Sequence, residues 1–284
     1  MATIIDGKAL AARIRAEIAD EAARLPRKAG LAVILVGNDP ASCVYVANKQ
    51  KDCVQCGFAS FEYKLSEETR EEELLRLIEE LNRNDTVDGI LVQLPLPGQI
   101  DQRRVIEAID PDKDVDAFHP VNVGKMVVDE PGFQPCTPAG VMEMFRCYDI
   151  SLAGKLCVMI GRSNIVGKPM GLLMLRENGT VVYCHSKTRD LAEITRKADI
   201  LVSAVGKQGF ITADMVKEGA VVIDVSINRD AETGKLVGDA VFDEVEKKAS
   251  FITPVPGGVG PMTRAMLMKN VLTAAKRHLG IQDE

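Results

Sequence analysis

Three polar positions in the first half of the chain are of types that can do chemistry. In Tyr45-Val46-Ala47-Asn48-Lys49 an aromatic hydroxyl and an amine stand four residues apart, so a helix puts both on one face. That spacing alone is ordinary on solvated helix faces. Gln93 interrupts the apolar run 90–96 just before Pro95. An amide in a buried strand must find partners or cost stability, so at a strand's carboxyl end it is a candidate site residue. Asp116 closes Asp112-Lys113-Asp114-Val115-Asp116 in a proline-rich stretch. A carboxylate is the natural partner of the two parallel donors on an aminopyrimidine edge; taken alone, Asp116 reads as a turn or capping residue.

A second constellation lies in the other half. After the apolar run 156–160 comes Gly161-Arg162-Ser163-Asn164-Ile165-Val166-Gly167-Lys168-Pro169, followed by a helical pattern. A glycine turn between strand and helix lets backbone approach a pyrophosphate, which then meets the free N–H groups of the helix start. The spacing is a variant of GxGxxG. NAD enzymes place an acid about 20 residues beyond the glycines, to bind ribose hydroxyls. Here the second strand runs into His185-Ser186-Lys187-Thr188-Arg189, with no acid before Asp190. Ser186 with Arg162 and the nearby cations suits a 2′-phosphate, so the expected cofactor is NADP.

These residues need a scaffold, and the composition supplies one. The 284 residues are 46% hydrophobic and 27% charged, enough for a sizeable core and about two domains. The net charge of −6 provides no global basic field, so neither nucleic acid nor an anionic membrane is an expected partner. No apolar run approaches the roughly 18 residues of a membrane helix. Asp6 and Lys8 break the apolar core a signal peptide requires. Seven scattered cysteines read as reduced thiols, consistent with a cytoplasmic location. Cys53-x-x-Cys56 and the dispersed His119, His185 and His278 lack metal-site spacing, so no metal is expected.

Leu10, Ile14 and Ile18 give a helix over residues 7–25, and LAVILVG reads as a buried strand. Residues 42–56 form a helix, 58–65 a strand, Ser66 opens an acidic helix, and GILVQLPL is a further strand. Residues 111–138 read as a long loop. Four β-branched runs alternating with helices then imply a parallel, doubly wound sheet. The expected fold is α/β, two α/β domains flanking a cleft, the second a Rossmann-like doubly wound parallel sheet. The first domain spans 1–140, with the C-terminal helix 263–284 packing back on it; the second spans 141–262.

The segments VGNDPASCVYVANKQKDC, GILVQLPLP, PDKDVDAFHPVNVGK, CTPAG, GRSNIVGKPM, VYCHSKT, DVSIN and PGGVGPMT occur in order along nearly the whole chain. With them the sequence resembles the bifunctional methylenetetrahydrofolate dehydrogenase/methenyltetrahydrofolate cyclohydrolase family of one-carbon metabolism and purine biosynthesis. The resemblance implies NADP-dependent oxidation of 5,10-methylenetetrahydrofolate, then hydrolysis of the methenyl product to 10-formyltetrahydrofolate. It makes Lys49 the central catalytic residue, Gln93 its hydrogen-bonding partner, Asp116 the pterin anchor and Tyr45 the residue stacking on the aminobenzoate ring. Gly161, Arg162, Ser163, Ser186 and Ile227 match NADP contacts. Pro256, Gly257, Gly258, Val259 and Thr263 match the loop lining folate and nicotinamide. It also implies a homodimer through the nucleotide domain. One departure is visible: the family's DVDGF motif has Gly where this chain has Ala117. The alternatives are another NADP-linked two-domain dehydrogenase, of hydroxyacid or shikimate type, and a non-catalytic NADP- or folate-binding sensor.

Overall fold

A computed structural model describes residues 1–281. The described residues divide into two compact units, one of Ala12–Gln134 with residues 264–281, the other of Met1–Ala11 with Pro135–Thr263. It opens with a short strand, β1 (Thr3–Ile4), and helix α1 (Gly7–Ala22), which buries Leu10, Ile14 and Ile18.

In the Ala12–Gln134 unit, β2 (Gly30–Val36) is buried at every position and lies between two parallel neighbours. Helix α2 (Pro40–Gln55) connects it to β3 (Ala59–Leu65), and α3 (Glu71–Asn82) connects β3 to β4 (Gly89–Val92). The register pairs Gly30 with Ala59 and Leu31 with Gly89. A central strand covered on both faces has no polar face to present, which explains its continuous apolar run. Ala32, Ile34, Leu74, Ile78 and Ile90 form the core beneath α3 and α4 (Gln102–Ala108).

Two local expectations are corrected here. Ser66 does not cap α3; its Oγ accepts from Glu68 N in a turn, and the helix starts at Glu71. Residues 111–138 are not one long loop. Pro120 occupies the first turn of α5 (Pro120–Val127), where its missing N–H costs nothing, and His119 Nδ1 caps that helix by accepting from Val121 N at 3.1 Å. Helix α6 (Cys136–Cys147) follows.

The second unit holds β5 (Leu156–Ile160), α7 (Gly167–Arg176), β6 (Thr180–Cys184), α8 (Leu191–Thr195), β7 (Ile200–Ser203) and β8 (Val221–Asp224). A hairpin of β9 (Asn228–Arg229) and β10 (Leu236–Val237), helix α9 (Phe242–Val245) and β11 (Phe251–Ile252) complete it. The six-stranded sheet has the order β1-β11-β8-β7-β5-β6, parallel throughout. The first eleven residues, expected with the first half, belong to this unit because β1 pairs with β11 and Lys8 N donates to Gly257 O at 2.9 Å.

Helix α10 (Val259–His278) starts in this unit and ends in the other. There, Asp88 is wholly buried and accepts two 2.7 Å bonds from Arg27 and one of 2.8 Å from Gly30 N. His278 Nδ1 lies 2.9 Å from the same carboxylate, Lys276 pairs with Glu21, and the Arg277 guanidinium stacks 4.7 Å from the Phe133 ring centroid.

Candidate active site

Asp39 and Pro40 start α2: the Asp39 carboxylate accepts from Ser42 N at 2.8 Å, and Pro40 sits where no N–H is needed. Val46 and Cys53 face the core, whereas Tyr45 is 41% exposed and Lys49 half-buried. Asp52, one turn on, is buried between Arg15 at 3.5 Å and Arg264 at 3.1 Å, tying α2 to α1 and α10. Burial raises the Asp52 carboxyl despite both guanidinium groups.

Gln93 follows β4 directly. Its backbone N–H donates to Ile34 O at 2.9 Å, extending the ladder by one residue, and its Nε2 donates to Leu94 O at 2.7 Å. The remaining oxygen, Oε1, accepts from Lys49 Nζ at 3.0 Å. The side-chain amide therefore has its donor end fixed to backbone and its acceptor end fixed to the amine.

Asp116 lies on a loop held from three sides. Ile90 N donates to Lys113 O at 2.8 Å, laying the segment beside β4. The buried Asp114 carboxylate accepts from His119 N at 2.8 Å and Asn122 Nδ2 at 2.9 Å. Asn270 of α10 donates to Val115 O at 2.8 Å and Gln134 O at 3.0 Å. Ala117 adopts φ +59°, so the position does require the left-handed region. Asp116 lines a small crevice with Leu94 and Phe118. The structure thus joins Lys49 to Gln93 directly, sets Asp116 beside the residue after Gln93, and keeps Tyr45 on the helix face of Lys49. The supports Asp114, Asn122 and Asn270 escaped the sequence reading; the density of polar residues around 112–122 hinted at the first two, and no local signal pointed to Asn270.

In the other unit, β6 lies on one side of β5 and β7 on the other, so the strand order switches at β5 while all strands stay parallel, and ligands of such sheets sit at the carboxyl ends by that switch point. Gly161 stands there at φ +123°; a Cβ on it would lie 2.7 Å from Ala204 O. A Cβ on Gly167 would lie 2.5 Å from Gly161 O, so α7 begins closer to β5 than any side chain permits. Ser163 Oγ accepts from Val166 N and Gly167 N, both at 3.2 Å. Arg162 and Ser163 are exposed, as are Ser186, Lys187 and Arg189 on a turn closed by Thr188 Oγ1 accepting from His185 N at 2.8 Å. A close-approach cradle flanked by exposed cations and a hydroxyl fits a phosphorylated dinucleotide.

Ile227, 41% exposed, follows β8. A Cβ on Gly260 would lie 3.4 Å from its Cδ1, which brings Ile227 to the start of α10. Pro256 is exposed, Gly257 has φ +107°, and a Cβ on Gly258 would lie 2.6 Å from Pro254 O. Val259 is buried, and Thr263 Oγ1 lies 2.9 Å from Thr137 Oγ1. The Cys53 and Cys56 thiols are buried, each pushed up to about 12, chiefly by desolvation.

Residues 5–116 match the tetrahydrofolate dehydrogenase/cyclohydrolase catalytic domain, and residues 135–279 match the NAD(P)-binding domain of the same family. The bifunctional protein FolD of Agathobacter rectalis is 58% identical over 280 residues, covering 98% of this chain and all of the relative. The crystal structure of the bifunctional FolD methylenetetrahydrofolate dehydrogenase/cyclohydrolase from Campylobacter jejuni is 51% identical, with a TM-score of 0.96 over 98% of this chain and 99% of the other. The dehydrogenase-cyclohydrolase from Trypanosoma brucei, crystallised with NADP and an inhibitor, is 41% identical, with a TM-score of 0.94 over 98% of both chains. This chain belongs to the tetrahydrofolate dehydrogenase/cyclohydrolase family.

Proposed function

We propose that the protein oxidises 5,10-methylenetetrahydrofolate to the 5,10-methenyl cation with NADP⁺ and then hydrolyses that cation to 10-formyltetrahydrofolate. The observation that carries the reading is the 3.0 Å bond from Lys49 Nζ to Gln93 Oε1, beside an exposed Tyr45. Family membership supplies the substrate class.

Oxidation at a carbon between two nitrogens leaves an iminium, so no proton is abstracted and the residues need only position the substrate. NADP⁺, when bound, supplies the hydride acceptor. Gly161 and Gly167 give it close backbone approach, Ser163 and Ile227 line it, the segment from Pro256 to Val259 lines the folate and the nicotinamide, and Arg162 with Ser186 hold its 2′-phosphate. Asp116 binds the aminopyrimidine edge of the pterin, Tyr45 covers the aminobenzoate ring, and Thr263 belongs to the lining of the folate. Hydration requires proton handling: water adds to the cation, one proton is released, and the ring opens. Lys49 is the base toward that water, held in place by Gln93.

The functional assembly is a homodimer formed through the nucleotide-binding unit, and the protein works in the reducing cytoplasm. Strand β6 is an edge of the six-stranded sheet, with Tyr183 and Leu175 exposed near it, and all seven cysteines are free. No helix among the described residues is long and apolar enough to cross a membrane. Sedimentation velocity tests the dimer; a monomer at micromolar concentration refutes it. Following both steps spectrophotometrically, with NADP⁺ and NAD⁺ side by side, tests the activity. Turnover of both folates with preference for NADP⁺ is expected, and absence of folate turnover overturns the reading.

A further inference from the structure

Asp239 has no role in the chemistry above, yet it is wholly buried and heavily engaged. Its Oδ2 accepts from Ser203 Oγ at 2.7 Å, Val205 N at 2.9 Å and Ser226 Oγ at 2.8 Å. Its Oδ1 accepts from Lys207 N at 2.7 Å and Asn228 Nδ2 at 3.4 Å. These donors come from two segments: the last residue of β7 with the loop leaving it, and the loop leaving β8 with the first residue of β9. Ser226 Oγ, while donating to Asp239, also accepts from Gly206 N at 2.9 Å, which closes a second link between the loops.

The carboxylate is satisfied by neutral donors alone. An ionised group out of water is costly unless every lone pair is used, and five donors meet that need. What they have in common is place. Both loops lie at the carboxyl ends of strands, where a parallel doubly wound sheet binds its ligand. Ile227, one of the cofactor-lining residues, stands between Ser226 and Asn228, two of the donors. The backbone of 203–207 also includes Ala204, whose carbonyl forms the floor under Gly161.

We propose that Asp239 is a positioning residue for NADP: one buried carboxylate pins the loops after β7 and β8 in the geometry that receives the cofactor. It acts through Ser203, Ser226, Asn228 and two backbone N–H groups and touches neither substrate. The inference rests on the NADP-dependent reading above. It differs from a general stability role in reaching one activity and not the other, because hydration of supplied methenyltetrahydrofolate needs no nucleotide.

Asp239→Asn places an amide N–H₂ against groups that are themselves donors, so the loops must part. The expected result is an NADP⁺ dissociation constant, read by titration calorimetry, raised about tenfold or more. The dehydrogenase KM for NADP⁺ rises in step, while the cyclohydrolase rate on supplied methenyltetrahydrofolate stays within about twofold of wild type. Ser226→Ala keeps the charge, removes both links made by that hydroxyl, and should show the same split at about threefold if Asp239→Asn does not fold. Parallel loss of both activities, or unchanged NADP⁺ affinity in the folded variants, overturns the proposal. Calorimetry keeps the tests separate: wild-type protein that binds NADP⁺ but turns over no folate sinks the folate reading and leaves Asp239 open to the same binding measurement.

Discussion

Lys49 Nζ donates to Gln93 Oε1 at 3.0 Å, joining a helix face to the carboxyl end of β4. The partner is a neutral amide, and that matters chemically. An amide fixes the direction of the amine through a single hydrogen bond and brings no formal charge to the site. Gln93 is itself held by two backbone bonds, so its acceptor direction is set before Lys49 arrives.

Removing the amine isolates its role. Lys49→Met should reduce hydration of methenyltetrahydrofolate by about 100-fold or more, the usual range for loss of a positioned base. Lys49 is half-buried and bonds a neutral amide, so the melting temperature should move little. Hydration within about tenfold of wild type would remove Lys49 from the role of base.

Cofactor choice should depend on Arg162. The guanidinium is exposed directly after Gly161, and the turn after β6 carries no acid before Asp190. Arg162→Ala should therefore raise KM for NADP⁺ by about tenfold or more while leaving NAD⁺ nearly unchanged, because only NADP⁺ has the 2′-phosphate to lose. Equal losses for both cofactors would show that Arg162 does not hold that phosphate.

The legible residues were those that broke a local pattern. Gln93 stands out in an apolar strand, Gly161 and Gly167 bracket a strand-to-helix turn, and β2 is an unbroken apolar run; each is visible within a dozen residues of sequence. What escaped depended on partners far along the chain. Thr3 and Ile4 become a strand only because residues 251 and 252 lie alongside. Asp239 gains meaning from donors 11 to 36 residues away, and Asn270 from carbonyls at 115 and 134. Pro120 misled for a local reason: the residue that ends helices also starts them, and only the His119 cap distinguishes the two.

Ala117 tests how the Asp116 loop tolerates its departure from the family pattern. At φ +59° a Cβ costs about 1–2 kcal/mol of strain. Against that, the methyl is wholly buried, worth about 0.8 kcal/mol, and glycine would lose a further 0.5–1 kcal/mol or so in chain entropy. The terms nearly cancel, so Ala117→Gly should change stability by less than about 1 kcal/mol. Ala117→Val adds branching at a left-handed, fully buried position and should cost about 2 kcal/mol or more. Denaturant unfolding of both variants decides it; a neutral valine would show that the loop is free to leave the left-handed region.

Asp224 should make the fold of the second unit pH-dependent. Burial pushes its carboxyl up to about 6, the neighbouring Asp239 charge adding to the rise against the lowering pull of the Ala240 and Ser226 N–H groups. In the unfolded chain the same carboxyl ionises near 3.9. Between about pH 4 and 6 the folded state therefore holds a proton that the unfolded state has released, so this group's contribution falls as pH rises. Below that window it contributes no penalty; above it the penalty is full, about 3 kcal/mol. Asp224→Asn has nothing to titrate there. Acidifying from pH 7 to pH 5 should thus stabilise wild type relative to Asp224→Asn by about 1 kcal/mol, read as a shift of about 2 °C or more in the difference of their melting temperatures. A constant difference across that range would mean that Asp224 is ionised in the fold throughout, and that its N–H donors outweigh its burial beside a second carboxylate.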